Sequence, residues 1–380
     1  MAKRPSPPAR AAATRASTPN YWDYIRVEEL LALQTGLAGN EDELANDEVL
    51  FITVHQVFEL WFKLILRELR FLRDFFHREL VHDQELSRAV HSLRRVVTLY
   101  RRCADHFLVI ETLHTRSYLS FRDKLTPASG FQSAQMRQIE IVLGLDDATR
   151  VQLGAGESYL DALRGHDGSE SPALRRVQAE KQGVTLKHAI DEWLFRTPIG
   201  GLGPSRKGAE RALERFVASY EAAHAKQVDH TSELALSRLR RPADAAALRA
   251  RFEDEKRQLS AFLRPGESEG GARRARIRAA ALFILQNPEL PLLAWPREVV
   301  SGLVELEQSL LIFRQRHARM VERIIGRRIG TGGSTGVDYL DQTALGPRVF
   351  ADLWALRTFM IQPRANPTPD EPEFYGFRNG

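Results

Sequence analysis

Apolar positions along this chain recur mostly at helical spacing, and alternating runs of the kind that form half-buried strands are scarce. The strongest segment is 47–76. Asp47 and Glu48 set negative charge at its start, where it meets the positive end of a helix dipole. Its middle (Phe58, Leu60, Trp61, Phe62, Leu64, Ile65, Leu66) is apolar on nearly every side, which predicts the central helix of a bundle. A second long helix is predicted over 84–113. Pro127 and Gly130 break the pattern within 125–133, and a further helix follows over 133–143. The last strong helix is predicted over 299–326. There Leu306, Leu310, Phe313, His317, Met320 and Ile324 recur at spacings of four, three, four, three and four, so they share one face.

The stretch 150–270 has a different texture. Breaks at "GHDGSESP", "RTPIGGLGPS" and "RPGESEGG" separate charged helical stretches such as 207–229 and 243–263. It reads as a helical insertion on the main bundle. Residues 363–380 read as an irregular tail, and 1–19, rich in Pro, Ala and Arg, as a disordered basic tail that cannot build a core. The expected organisation is therefore one all-α domain over 20–362, with no internal repeat.

Composition changes this picture little. Apolar content of 43% and charged content of 27% are ordinary for a globular protein. Nothing approaches 18 consecutive apolar residues, so no membrane span is expected. The net charge of +5 suggests nucleic acid at first sight, but Lys3, Arg4, Arg10 and Arg15 all lie in the tail; taking those four from 54 basic residues leaves 50 against 49 acidic ones. No nucleic-acid partner is expected. The tail's prolines break up the amphipathic helix of a transit peptide, and it lacks the apolar region of a secretory signal. A single cysteine, Cys103, excludes an internal disulfide, a cysteine zinc site and covalent haem attachment through CxxCH. A reducing, cytoplasmic setting fits.

Two histidines stand out. His55 lies in the apolar helix, four residues after Phe51 and four before Glu59, and His317 lies on the stripe of the last helix. Each alone reads as a core histidine with a satisfied partner. Together, in a helical protein without cysteine ligands, they suggest a cofactor held between helices, and haem is the group that a helix-borne imidazole ligates. A zinc or di-iron site lacks its HExxH or paired ExxH motifs. The loop "GTGGSTG", 330–336, follows a helix and has no closing lysine, so it fails as a phosphate loop. Its glycines would let backbone approach a small ligand, with Thr331 and Ser334 offering hydroxyls; a plain surface turn is the other reading. Tyr118 and Arg122 stand at i and i+4. Arginine suits a bidentate grip on a carboxylate, or else a solvated ion pair.

These segments resemble the tryptophan 2,3-dioxygenase family. "YWDYIRVEELLALQ" (21–34), "DEVLFITVHQVFELWFKLILREL" (47–69), "SYLSFRDKLTPASGFQSAQMRQIE" (117–140) and "RHARMVERIIGRRIGTGGSTGVDYL" (316–340) are similar to its blocks in order, and "WLFRTPIG" (193–200) matches more weakly. The resemblance implies an all-α, indoleamine/tryptophan dioxygenase-like helical bundle binding haem b. It implies insertion of both atoms of O2 into the indole C2–C3 bond of L-tryptophan, giving N-formylkynurenine in the kynurenine pathway. By position it makes His317 the proximal iron ligand and His55 the distal histidine that accepts the indole N–H. Phe51 and Tyr118 would line the pocket. Arg122 would grip the substrate carboxylate, Thr331 would bind the amino-acid end, and Ser129 and Gly130 would lie beside the haem. Tyr21, Tyr24 and Ile25 would reach into a neighbouring subunit's pocket, in an intertwined homotetramer.

The sequence departs from the family at Trp22 (usually Gly), Asn46 (usually His), His114 (usually Thr) and Gln315 (usually aromatic). These departures leave open a related haem oxygenase for a substituted tryptophan or indole in a biosynthetic pathway. A haem sensor or scaffold without turnover is a third reading, against which Arg122 and Thr331 argue, since a gas sensor needs no amino-acid clamp.

Overall fold

The computed structural model describes residues 20–126, 130–149, 159–165, 167–266, 270–330, 336–346 and 348–376. The α-helices in chain order are α1 (Tyr21–Ile25), α2 (Val27–Leu31), α3 (Asn46–His77), α4 (Leu86–Ile110), α5 (Thr115–Phe121), α6 (Ala134–Leu143), α7 (Pro172–Lys181), α8 (Leu186–Arg196), α9 (Ala209–Ser237), α10 (Ala245–Leu263), α11 (Gly271–Gln286), α12 (Ala294–Ile325), α13 (Val337–Leu345) and α14 (Ala351–Phe359). No strand occurs among the described residues; Ile199 and Leu202 form an isolated bridge. The architecture is all-α. The chain divides into two compact units, one ending at Thr53 and one beginning at Val54.

In the first unit, the Asn20 side chain caps α1 by accepting from the Asp23 amide at 2.8 Å. Arg26, in the left-handed region at φ 55°, ends α1 and starts α2. Five-residue helices have little stability of their own. Neither buries a residue, and Tyr21, Trp22, Tyr24, Ile25 and Leu31 are all exposed.

In the second unit, α3 buries Val54, Phe58, Phe62, Ile65, Leu69, Leu72 and Phe76, one continuous stripe at spacings of three and four. Ring contacts carry that stripe onto Phe107 of α4, Phe313 of α12 and Trp193 of α8. Leu60 and Leu64 lie off it and are 45% and 44% exposed. The expectation of a helix enclosed on all sides is corrected here, because packing in the chain covers only the stripe. By length and composition α3 could also cross a membrane, which the count of consecutive apolar residues did not reveal. A core helix passes the same test, and this stripe is spent on the core.

Helix α12 packs along α4. Arg94 pairs with Glu298 at 2.9 Å and Arg101 pairs with Glu305, the same offset twice and one heptad apart, so the two helices run parallel in register. Between the pairs, Gly302 allows close approach: a Cβ there would meet Leu93 Cδ1 at 3.2 Å. The predicted α12 stripe is buried at Leu306, Leu310, Phe313, Met320 and Ile324. Buried Glu307 on α12 accepts hydrogen bonds from the Val349 and Phe350 amides and from Trp354 Nε1, tying α14 to it. Helices α9 and α10 form an antiparallel hairpin laced by Lys256–Asp229 and by Arg264 with Glu214 and Glu221. The last described segment lies along α9 and the 198–201 turn. Tyr375, 2% exposed, donates to the Pro198 carbonyl and accepts from the Gly201 amide.

Candidate active site

Helix α12 presents His317 half-buried on its apolar face. Its ring lies parallel to Phe107 (centroids 5.3 Å apart, planes at 4°) and near Phe313. Phe58 of α3 touches both phenylalanines and leads to His55, whose ring centroid is 6.5 Å from its own. Burial first, and the nearby His55 second, hold the His317 imidazole down to a pKa of about 4. It is therefore neutral near pH 7, with a lone pair to offer. The electrostatic influence of His55 on His317 means that α3 and α12 bring the two rings into one neighbourhood, although they lie far apart in sequence.

His55 itself is exposed, which corrects its placement on a buried face. It follows Val54, and the buried stripe runs through Val54 and Phe58, so His55 falls on the adjoining flank. Phe51 stands one turn earlier on α3, within the first unit, and is half-buried. His106, which the sequence did not single out, packs edge-on against Phe58 at 4.9 Å with Nε2 3.3 Å from the Val54 carbonyl oxygen. The only signal for His106 and Phe107 was the apolar stripe of α4; their approach to α3 and α12 is non-local.

A second group of residues gathers past the C-terminal end of α12. Thr115 Oγ1 donates to the Ile324 carbonyl at 2.7 Å, which fastens the start of α5 to α12. Tyr118 is buried on α5, and Arg122 opens the 3-10 turn that follows. Arg122 Nη2 donates to the Ile329 carbonyl, and its guanidinium lies beside the Tyr118 phenol. Burial pushes the Tyr118 phenol up, with Arg122 opposing, so it stays protonated. Arg122 Nε is buried and has no hydrogen-bond partner among the described residues. A buried charged donor left unmade is costly, so this Nε–H is available to an anionic group. Beyond Ile329, Gly336 (φ 60°) brings the chain back so closely that a Cβ would lie 2.8 Å from the Arg328 carbonyl oxygen; only glycine closes this neck. Thr331, within the loop, and Ser129 lie outside the described residues.

The donor set fits haem. A neutral imidazole on a rigid helix, backed by a parallel phenyl ring, is suited to ligate its iron. At Gly130, a Cβ would meet nothing within 4 Å among the described residues, so the backbone there lies open. No cluster of three His, Cys, Asp or Glu side chains able to hold a free metal ion occurs among the described residues. Tyr21, Tyr24 and Ile25 are 72%, 80% and 45% exposed in the first unit. Of the departing positions, Trp22 is exposed on α1, Asn46 opens α3, His114 precedes α5 and Gln315 is exposed on α12.

The family model described as tryptophan 2,3-dioxygenase matches residues 8–360. A tryptophan 2,3-dioxygenase of Sorangium cellulosum is 50% identical over 377 residues, covering 98% of this chain and 90% of that protein. Tryptophan 2,3-dioxygenase 2 of Ralstonia nicotianae is 48% identical over 364 residues, covering 94% and 97%. Tryptophan 2,3-dioxygenase B of Danio rerio is 31% identical over 362 residues, covering 91% and 84%. With a match of that extent, the chain belongs to the tryptophan 2,3-dioxygenase family.

Proposed function

We propose that this protein is a haem-dependent dioxygenase that inserts both atoms of O2 across the indole C2–C3 bond of L-tryptophan to give N-formylkynurenine. The observation that carries this reading is the pair of imidazoles: a neutral, half-buried His317 within electrostatic reach of an accessible His55. His317 would hold haem b, with Ser129 and Gly130 beside it. When bound, that group supplies the iron chemistry that activates O2.

The chain's own residues would do the rest. Arg122 Nε, buried and unpartnered, would donate to the substrate carboxylate, while Tyr118 and the Ile329 carbonyl hold the guanidinium in place. Such a charge-assisted bond is worth about 1.5–3 kcal/mol. Thr331 would bind the amino-acid end, Phe51 would form the wall against the indole, and His55 would accept its N–H. Fixing the substrate at both ends would hold the indole ring in one orientation for the reaction. Tyr21, Tyr24 and Ile25 would close a neighbouring subunit's pocket in a homotetramer and exclude water from it. Their exposure supports that role, as does the uncovered flank of Leu60 and Leu64 on α3. A cytoplasmic location completes the reading.

Trp22, bulky and exposed beside Tyr21, favours the second reading, an oxygenase for a substituted tryptophan or indole. The experiment that separates them is anaerobic reduction of the haem-loaded protein, addition of L-tryptophan and then O2, and mass analysis of the product. Gain of two oxygen atoms with ring opening supports the first reading. Gain of one supports the second, and no turnover refutes both.

A further inference from the structure

We propose that the cavity where α3, α6 and α7 meet is a second ligand site, which holds a free α-amino acid as its zwitterion. All the residues involved lie in the second unit. The cavity has a volume of about 450 Å³, and Glu59, Leu66 and Arg70 of α3, Gln135 and Gln138 of α6 and Arg176 of α7 line it. Neither His55, Arg122 nor His317 does. Its volume falls within the range of small-molecule sites.

Its charges are not all paired. Arg70 and Arg73 both pair with Glu180, which also accepts from Gln138 Nε2 at 3.1 Å, and Arg73 pairs again with Asp74. That cluster of two arginines and two carboxylates is neutral. Two charged groups remain. The Glu59 carboxylate accepts from Gln135 Nε2 at 2.7 Å but meets no cation among the described residues, and Lys63, one turn on, forms no ion pair with it. Arg176 forms no ion pair among the described residues either, because its i+4 neighbour Glu180 is taken by Arg70 and Arg73. The carboxylate of half-buried Glu59 and the guanidinium of exposed Arg176 thus line the same cavity without pairing with each other.

A small molecule that answers both carries an ammonium for Glu59 and a carboxylate for Arg176, and the simplest such molecule is an α-amino acid. Arginine grips a carboxylate with two parallel donors. Leu66 and the arm of Arg70 offer apolar surface. A second cavity of about 520 Å³ shares Arg70, Gln138 and Arg176 and extends to His77, which leaves room for a long side chain.

The test is ligand-observed NMR on the full chain, with each proteinogenic α-amino acid other than L-tryptophan as the probe in turn. At least one is expected to bind. For the best of them, Glu59→Gln and Arg176→Ala should each weaken binding about ten-fold or more, the loss of one charge-assisted hydrogen bond. Arg122→Ala should leave it unchanged. On the unaltered protein, the N-acetyl and carboxamide forms of that amino acid should each lose affinity to a similar degree, which tests both contacts without any variant. Absence of binding at millimolar concentration would overturn the proposal. So would binding indifferent to both substitutions, or an N-acetyl form that binds as well as the free amino acid.

Discussion

Replacing Arg122 by lysine keeps the positive charge but removes the planar fork. In the structure this guanidinium has three separate jobs: Nη2 holds the Ile329 carbonyl, another contact holds Tyr118, and Nε is left over in a buried place. An ammonium can take over one of these and cannot reproduce all three. If Nε is the donor to the substrate carboxylate, its loss removes about 1.5–3 kcal/mol of binding, which at about 1.4 kcal/mol per decade is roughly ten- to hundred-fold. The assay is steady-state turnover of L-tryptophan beside tryptamine, which has the indole and the amine but no carboxylate. For L-tryptophan, kcat/KM should fall by that factor in Arg122→Lys, carried mainly by KM. For tryptamine it should change by less than about three-fold, well short of the loss of one charge-assisted bond. An equal fall for both would mean that Arg122 supports the loop neck and the α5 segment but does not bind the carboxylate, and the reasoning would be refuted.

Glu307→Ala should destabilise the second unit by about 3 kcal/mol or more, since it strands the Val349, Phe350 and Trp354 donors in a buried place. Urea unfolding followed by helix circular dichroism measures this, and a cost below about 1 kcal/mol would contradict the role given to Glu307. Stability should also depend on His224, which is 2% exposed and whose Nδ1 has no partner among the described residues. Burial first, and Lys256 second, hold its pKa below the ordinary 6.5. The unfolded chain therefore takes up a proton that the folded one resists, so stability is full above pH 6.5, falls as the pH drops below it, and levels off below the folded pKa. His224→Phe should flatten the wild-type slope between pH 7 and 5 by up to about 1.4 kcal/mol per pH unit; an unchanged slope would refute the assignment.

Legibility followed locality. Helices α3 and α12 were readable because each carries a long stripe that repeats every three or four residues, and the ends at Asn46–His77 and Ala294–Ile325 lie within a few residues of the expected ones. The His317 position on that stripe was readable for the same reason. The sequence could not show that Leu60 and Leu64 stay exposed, because apolar residues on all sides of a helix do not say how many sides are packed. Nor could it place His55 off the stripe, since one residue of phase decides between two flanks. Helices α13 and α14 escaped notice because each has only nine residues, between glycine and proline breaks, too short for periodicity to register. The approach of Phe107 to His317 depends on the parallel register of α4 and α12, whose ion pairs join residues 204 apart. Arg122 was legible as a residue type at a helical spacing, but its unpartnered Nε and its hold on Ile329 exist only in three dimensions.

The central claim is that His317 is the residue through which this chain holds haem. It is tested most directly by titrating haem into the wild type, His317→Ala and His55→Ala and recording the optical spectrum of each in the ferrous state. The account predicts one haem per chain with a histidine-ligated spectrum for the wild type and for His55→Ala. It predicts that His317→Ala loses haem or its histidine-ligated spectrum, with recovery on adding free imidazole. Unchanged uptake and spectrum in His317→Ala, with loss in His55→Ala, would contradict it.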